Sequence, residues 1–126
     1  MGITTYMSDQ IISSQFVGAF HVAAHSGDPG KTGANEVTTG QNANYARRPA
    51  TLAKAANGLI FEAKNIADVS FAAASAGSNY SVTHLSIWSA ASGGNCLATL
   101  ELPAPIPVVS GTILTFAAND IVVKGE

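Results

Sequence analysis

Apolar and polar residues alternate along much of this chain, which is the pattern of β-strands that bury one face. In residues 80–88, Leu85 and Ile87 would point to one face and Trp88 to the other. A turn at residues 90–95 follows, so we predict an antiparallel hairpin. Further strands are predicted at residues 16–24, 46–52, 59–63, 66–71, 96–102, 108–116 and 121–123.

The N-terminal residues 1–15 are predicted to form an arm or a short helix before the first strand. Apolar side chains in residues 8–16 are spaced to share one face of a helix, which Ser8 or Asp9 would cap.

A long loop is predicted at residues 26–44, which consist mainly of Gly, Thr, Asn, Asp and Ser. Most connections in compact domains have about 4–6 residues, and much longer ones tend to be functional or ordered by a partner. The loop is therefore our candidate for contact with another protein, and a merely flexible excursion is the alternative.

Turn residues punctuate the predicted strands. Asn57 followed by glycine is the strongest short signal for a hairpin turn. Pro103, Pro105 and Pro107 remove alternate backbone donors, which excludes a central strand there and favours an extended edge or a crossover segment.

The order of these elements predicts the fold class. Seven or eight short strands indicate a mainly β fold, a single antiparallel β-sandwich or jelly-roll-like domain with a short N-terminal helix. A chain of 126 residues is long enough for one apolar core, so one domain spanning residues 1–126 is expected.

Charged residues are scarce. They make up 11% of the chain, whereas hydrophobic residues make up 47%. Residues 69–100 contain no Asp, Glu, Lys or Arg. A surface with so little charge favours association with copies of the same protein or with another protein. For residues 69–100, core strands with an uncharged polar loop are the alternative to a subunit interface.

Charge and composition also argue against several partners. The net charge is −2, and Arg47-Arg48 is the one adjacent basic pair, so we expect no nucleic acid as a partner. No segment has the roughly 20 apolar residues that span a bilayer, and residues 1–10 lack a basic leader. We therefore expect synthesis in the cytoplasm and no membrane contact. The single cysteine, Cys96, is expected to be a buried, inert thiol.

No arrangement of residues predicts a catalytic, cofactor-binding or metal-binding site. His21 and His25 would lie about 13 Å apart on a strand, too far to share a metal ion, and His84 lacks supporting ligands. The serines occur in no nucleophile elbow, and the carboxylates form no acid/base couple. We therefore expect no enzymatic activity.

The densest polar cluster follows the long loop. Tyr45, Arg47 and Arg48 combine residue types that are enriched at protein contacts, so we predict an interface at these residues together with Glu36. In the alternative, Tyr45 packs and the arginines tie the loop down by pairing with an acid such as Glu36.

Several segments together carry a family resemblance. They are FHVAAHSGDP from Phe20, GANEV from Gly33, YARR from Tyr45, ADVSF from Ala67, VTHLSIW from Val82, ASGGN from Ala91 and SGTILTFAAND from Ser110. In order and spacing they resemble a family of small virion proteins of tailed phages, across nearly all of residues 16–123. Members are commonly labelled tail fibre proteins, and such β domains also resemble capsid decoration proteins. The resemblance implies no catalytic residue.

Two structural roles follow, and a third class is weaker. The first is a capsid decoration or cement protein that stabilises the phage head through repeated contacts, with copies of itself, as dimer or trimer, and the major capsid protein as partners. The second is a tail-associated or tail fibre component involved in host attachment, although the chain lacks a repeated shaft. An enzyme or sugar-binding module ranks third, because Trp88 is the single tryptophan.

Overall fold

The computed structural model describes residues 2–125 and is mainly β, with 45% of the chain in strands and 9% in a helix. The prediction of a mainly β fold with a short N-terminal helix is confirmed. The elements are α1 (Thr5–Gln15), β1 (Gly18–His25), β2 (Arg48–Asn57), β3 (Ile60–Asn65), β4 (Val69–Ser70), β5 (Asn79–Trp88), β6 (Cys96–Val109), β7 (Thr115–Phe116) and β8 (Val122–Lys124). β4 pairs with β7 in a separate two-stranded sheet.

The chain divides into two compact units. The helical unit consists of residues 2–19, 50–69 and 116–125, and the loop unit consists of residues 20–49 and 70–115. That the whole chain folds as one domain stays a prediction.

In the loop unit, β5 lies between β1 and β6, and both pairings are antiparallel. Val22 lies opposite Ile87, and both are fully buried, while Leu85 is 1% exposed. The neighbouring residues of β5 are also buried, because Ser86 is 0% exposed and Trp88 is 8% exposed. Both faces of β5 are therefore covered, and polar side chains cover the second face.

In the helical unit, β2 and β3 form an antiparallel hairpin, and β8 pairs with the other edge of β3. The hairpin turns at Gly58, whose φ of 62° lies in the left-handed region that glycine adopts without strain. This confirms the turn that the sequence predicts after Asn57. Helix α1 packs against β3 and buries Ile12 completely.

The helix begins earlier than predicted. Thr4 is its N-cap, and its hydroxyl accepts a hydrogen bond from the Met7 backbone N–H at 3.2 Å. The prediction that Ser8 or Asp9 caps the helix is wrong. Ser8 lies inside the helix and is fully buried, where its hydroxyl accepts a 2.7 Å bond from Phe61 N–H.

The prolines do not end the strand at residue 102. β6 continues through Pro103, Pro105 and Pro107 to Val109. The prediction of two separate strands at residues 96–102 and 108–116 is therefore wrong. The predicted edge position is correct, because β6 pairs with β5 alone in the loop unit.

Other predicted strands are also shorter or shifted. The strand predicted at residues 66–71 is reduced to Val69–Ser70. The first strand is Gly18–His25, two residues later at its start than predicted. None of the helices within residues 2–125 is long and apolar enough to span a membrane.

Candidate functional site

Residues 26–47, here called the covering loop, form a compact structure without regular strands. The backbone N–H groups of Gly33 and Ala34 both donate to Pro29 O, at 3.0 and 2.9 Å. Val37 N–H donates to Ala24 O at 2.9 Å, which ties the loop to β1. Asn35 adopts a left-handed φ of 63°, as asparagine does in tight turns. The loop is thus bonded to itself and to the strand that precedes it.

Glu36 is the centre of a polar network within this loop. Its carboxylate accepts two bonds from Arg47, from Nε and Nη2, each 2.9 Å long. It also accepts a 2.7 Å bond from the Tyr45 hydroxyl. That hydroxyl in turn accepts a 3.1 Å bond from Ala24 N–H. Glu36 therefore connects the loop, the start of β2 and the edge of β1.

Arg47 also bonds to the turn that follows β5. Nη1 donates to two backbone carbonyl oxygens, Ala90 O at 3.0 Å and Gly93 O at 2.8 Å. The guanidinium lies 3.8 Å from the centroid of the Trp88 ring. Stacking on an aromatic face, combined with a bidentate carboxylate contact, suits the planar fork of arginine and not a lysine.

The charges of this network stabilise one another. Burial alone raises the pKa of Glu36, but hydrogen bonds from Arg47 and Tyr45 outweigh it, and the net pKa lies below its ordinary value. The bond to Glu36 raises the pKa of Arg47. Burial, followed by the bond to Glu36, raises the pKa of the Tyr45 hydroxyl well above its ordinary range. Glu36 is thus a carboxylate, Arg47 a cation and Tyr45 a neutral donor at neutral pH.

A second polar chain runs through β1 and β5. His25 Nδ1 lies 2.8 Å from Ala34 O, a carbonyl that can only accept, so Nδ1 carries the proton. His25 Nε2 lies 2.6 Å from Ser86 Oγ and accepts a hydrogen bond from the hydroxyl. Ser86 Oγ then accepts a 2.6 Å bond from Trp88 Nε1–H. Every polar atom of this chain is paired when His25 is neutral.

A histidine bonded to a serine hydroxyl is the pairing found in activated nucleophiles, but in this structure both side chains are buried. Ser86 and His25 are both 0% exposed, so no substrate reaches the hydroxyl. The group that orients the imidazole is a backbone carbonyl, which cannot supply the negative charge that stabilises an imidazolium. Burial lowers the pKa of His25 below 6.5.

The histidines do not assemble a metal centre. Both ring nitrogens of His25 are engaged in hydrogen bonds. His84 lies opposite His25 across β1 and β5, but its Nδ1 lies 2.8 Å from the Thr83 hydroxyl. Within residues 2–125 no group of three His, Cys, Asp or Glu side chains has the spacing to hold a metal ion.

The far end of the covering loop is anchored by Asn42, which is 5% exposed. Its Nδ2 donates to the Tyr80 hydroxyl at 3.0 Å. Its Oδ1 accepts from the backbone N–H groups of Asn44 and Ser75, both at 3.0 Å. The loop is therefore fixed at its end as well as at its centre.

Two open grooves lie on the loop unit. One, of about 350 Å³, is bordered by Glu36, Arg47 and Gly93. The other, of about 650 Å³, is bordered by His84, Glu101 and the Pro103–Pro105 stretch. The first groove is lined by one acid and one base, Glu36 and Arg47, and the second is lined by Asp28, His84 and Glu101.

The structure brings three of the four predicted interface residues together. Glu36, Tyr45 and Arg47 form one hydrogen-bonded cluster, as the tie-down alternative required. Arg48 is exposed, and within residues 2–125 its side chain has no hydrogen bond or ion pair. Whether this cluster also contacts another protein stays a prediction.

The chain of hydrogen bonds from His25 through Ser86 to Trp88 could not be predicted from the sequence. His25 and Ser86 are far apart along the chain, so nothing local indicates that they meet. Trp88 offered one signal, because a lone tryptophan on the polar face of a strand needs a partner for its N–H and cover for its ring.

The comparison with protein families matches residues 3–124 to a family described as podophage GP4 fiber I protein gp80. A search of curated proteins finds no match. The family description supports a structural protein of the phage virion and does not favour capsid decoration over a tail fibre. Since the match covers nearly the whole chain, this protein belongs to the podophage fibre I protein family and is a structural component of the phage virion.

Proposed function

We propose that this protein is a non-enzymatic subunit of a phage fibre. The observation that carries the proposal is the family match over residues 3–124, whose description names a fibre protein. The geometry of the loop unit agrees with this proposal. Ser86 and His25 are buried, and their polar groups are hydrogen-bonded to each other and to Trp88.

Capsid decoration ranked first on the sequence, and the fibre role now takes its place. The chain lacks a repeated shaft of the kind that long fibres contain. A fibre assembled from several proteins does not require a shaft from each, and a compact domain can serve as a joint, a base or a tip. The resemblance to decoration proteins rests on the small β domain, and short length and low charge agree with it.

The covering loop supports a role as a rigid contact surface. Binding surfaces that are fixed before association lose less conformational entropy on binding than flexible loops do. The Glu36–Arg47 pair and Asn42 hold this loop in place, while Arg48 stays free to reach a partner. We propose that Tyr45 and Glu36 act by positioning and that Arg48 makes the outward contact.

Labelling of intact particles tests the fibre role. An antibody raised against the purified chain is bound to virions and located by electron microscopy. Label at the fibres, with none on the head, is the expected result. Label spread over the capsid faces would overturn the fibre proposal and restore decoration.

A separate assay tests the proposal that the protein has no enzymatic activity. Purified protein is incubated with the surface polysaccharide of a host strain, and release of reducing ends is measured against a boiled sample. No release is expected. Release that is lost in Ser86→Ala and kept in Ser13→Ala would show that the buried serine becomes reachable and acts as a nucleophile.

A further inference from the structure

The groove beside the covering loop is bordered by polar groups from two segments of the loop unit. Glu36 and Thr39 belong to the covering loop, whereas Ser92 and Gly93 belong to the turn that follows β5. Its volume of about 350 Å³ is within the range of small-molecule sites. In such sites a few well-placed polar groups fix the orientation of the ligand.

Arg47 has one N–H group left for a ligand. A guanidinium carries five N–H donors in a planar fork. Arg47 gives two of them to Glu36, one from Nε and one from Nη2, and gives both hydrogens of Nη1 to the carbonyls of Ala90 and Gly93. The donor that remains is therefore on Nη2.

Glu36 has one acceptor position left. A carboxylate has about four acceptor positions. Oε2 accepts from the Tyr45 hydroxyl and from Arg47 Nε, and among residues 2–125 Oε1 accepts from Arg47 Nη2 alone. The remaining acceptor is on Oε1, which lies 2.9 Å from Arg47 Nη2. An unused donor and an unused acceptor therefore lie side by side at this groove.

Both groups are held in place before any ligand binds. Arg47 is fixed by two carbonyl oxygens and by the Trp88 ring, and Glu36 is fixed by the Tyr45 hydroxyl. Groups that are already ordered lose little conformational entropy on binding. A ligand that used this pair would also leave intact the bonds that hold the covering loop.

Two hydroxyls and several apolar side chains complete the border of the groove. Thr39 and Ser92 are exposed, and within residues 2–125 neither hydroxyl has a hydrogen-bond partner. Each can both donate and accept. Val37, Ala46 and Ala91 add apolar surface at the same groove. The groove therefore offers hydrogen bonds in both directions together with contacts for C–H groups.

The charges at this groove favour a neutral ligand. Glu36 and Arg47 are the charged residues that border it, and their charges oppose each other at 2.9 Å. A cation or an anion would be attracted by one member of the pair and repelled by the other. A neutral molecule with a donor and an acceptor close together matches both.

We propose that this groove binds one ring of a neutral sugar through two adjacent hydroxyl groups. One hydroxyl accepts the free N–H of Arg47 Nη2, and its neighbour on the ring donates to Glu36 Oε1. Thr39 and Ser92 bond to further hydroxyls of the same ring. The C–H groups of the sugar lie against the apolar side chains of the border.

Such a site does not need the aromatic platform whose absence made sugar binding the third choice on the sequence. Trp88 is not available as a platform, because Arg47 already stacks on its ring at 3.8 Å. Recognition by hydrogen bonds alone should be weak, with a dissociation constant on the order of 1 mM for a single ring. Many copies on one particle would bind a polysaccharide more tightly than one copy does.

An NMR titration of the native chain tests the ligand class. The probes are the methyl glycosides of glucose, galactose and mannose. At least one of them should shift the backbone amide signals of Thr39 and Ser92 and leave those of α1 unchanged. Methyl glucoside with every hydroxyl O-methylated is the matched control, because it keeps the ring but has no donor, and it should shift neither signal. No shift with any probe, or equal shifts with the methylated control, would overturn the proposal.

A pair of double variants tests the site. Thr39→Val with Ser92→Ala removes two groove hydroxyls and should weaken binding at least about tenfold. Thr32→Val with Ser110→Ala makes the same changes at exposed positions that do not border the groove, and it should bind like the native chain. Equal affinities in all three proteins, or equal losses in both variants, would contradict the site.

The sugar site and the fibre role fail separately. Glycoside binding by a protein whose antibody label lies on the head would remove the fibre role and keep the site. Label at the fibres without glycoside binding would keep the fibre role and remove the site.

Discussion

Among residues 2–125, each unit of the molecule contains one ion pair shorter than 3 Å, and the two pairs differ in their exposure and in the other groups that they contact. Lys54 Nζ lies 2.6 Å from Asp9 Oδ1 in the helical unit, and Arg47 Nη2 lies 2.9 Å from Glu36 Oε1 in the loop unit. The side chains of the first pair are 38% and 33% exposed, and those of the second are 8% and 22% exposed.

The shorter contact is expected to contribute less to stability. Water screens the Lys54–Asp9 pair, whose partners can separate and solvate at little cost. Arg47 and Glu36 also bond to Tyr45 and to two backbone carbonyls, so removing one side leaves several buried groups without partners. The contribution of an ion pair to stability therefore depends more on its surroundings than on the distance between its charged atoms.

The largest effect should come from Arg47→Ala, which leaves the Glu36 carboxylate and two carbonyls unpaired and uncovers Trp88. We expect the free energy of unfolding to fall by about 3 kcal/mol. Urea denaturation followed by tryptophan fluorescence measures it. Arg48→Ala removes the same side chain one residue later and should change stability by less than about 0.5 kcal/mol. Equal losses in the two variants would show that the network does not hold the loop.

A smaller but substantial loss of stability is expected for Gly33→Ala, which tests the packing of the covering loop on Trp88. A Cβ at this position would lie 2.5 Å from the Trp88 ring, and φ at Gly33 is 79°. Overlap and backbone strain together should cost about 2 kcal/mol in urea denaturation. Gly30→Ala is the control, because it has a φ of 61° but no atom within 4 Å of the added Cβ. Similar losses in both would mean that backbone strain alone is responsible.

Acid should weaken the loop unit gradually. The pKa of His25 is lowered by burial, so the unfolded chain binds a proton more readily, and stability should fall as pH drops through 6.5. The pKa of Glu36 is also lowered, which adds a further loss below about pH 4.5. Thermal unfolding between pH 8 and pH 4 measures both. Stability that stays level or rises between pH 7 and pH 5 would contradict a buried neutral His25.

The smallest effect is expected from Lys54→Ala, which removes the exposed pair of the helical unit. Its melting temperature should match that of the native chain within the error of the measurement, and added salt should change neither protein much. A loss as large as that of Arg47→Ala would erase the difference between the two pairs.

Local signals in the sequence were enough for much of the fold. Alternation located β5, and Asn57 followed by glycine located the β2–β3 turn. The three prolines also indicated an edge strand correctly.

The covering loop was the part that local signals could not resolve. Its composition is typical of an exposed loop, and its order depends on contacts with residues that are distant in the sequence, such as Trp88 and Tyr80. The tie between Glu36 and the nearby Arg47 was foreseen as an alternative. The chain from Ala34 through His25 to Ser86 was not, because it requires knowing which strands are neighbours.

Hydrogen–deuterium exchange of the native chain tests most directly whether the covering loop is a fixed part of the loop unit. The backbone N–H groups of Gly33, Ala34, Val37 and Asn42 should exchange nearly as slowly as those at the centre of β5, because each is hydrogen-bonded within the fold. In the Arg47→Ala protein they should exchange faster while β5 stays protected. Exchange of the native loop at the rate of an unstructured peptide, with β5 protected, would contradict the account and make residues 26–44 the flexible excursion that the sequence leaves as the alternative.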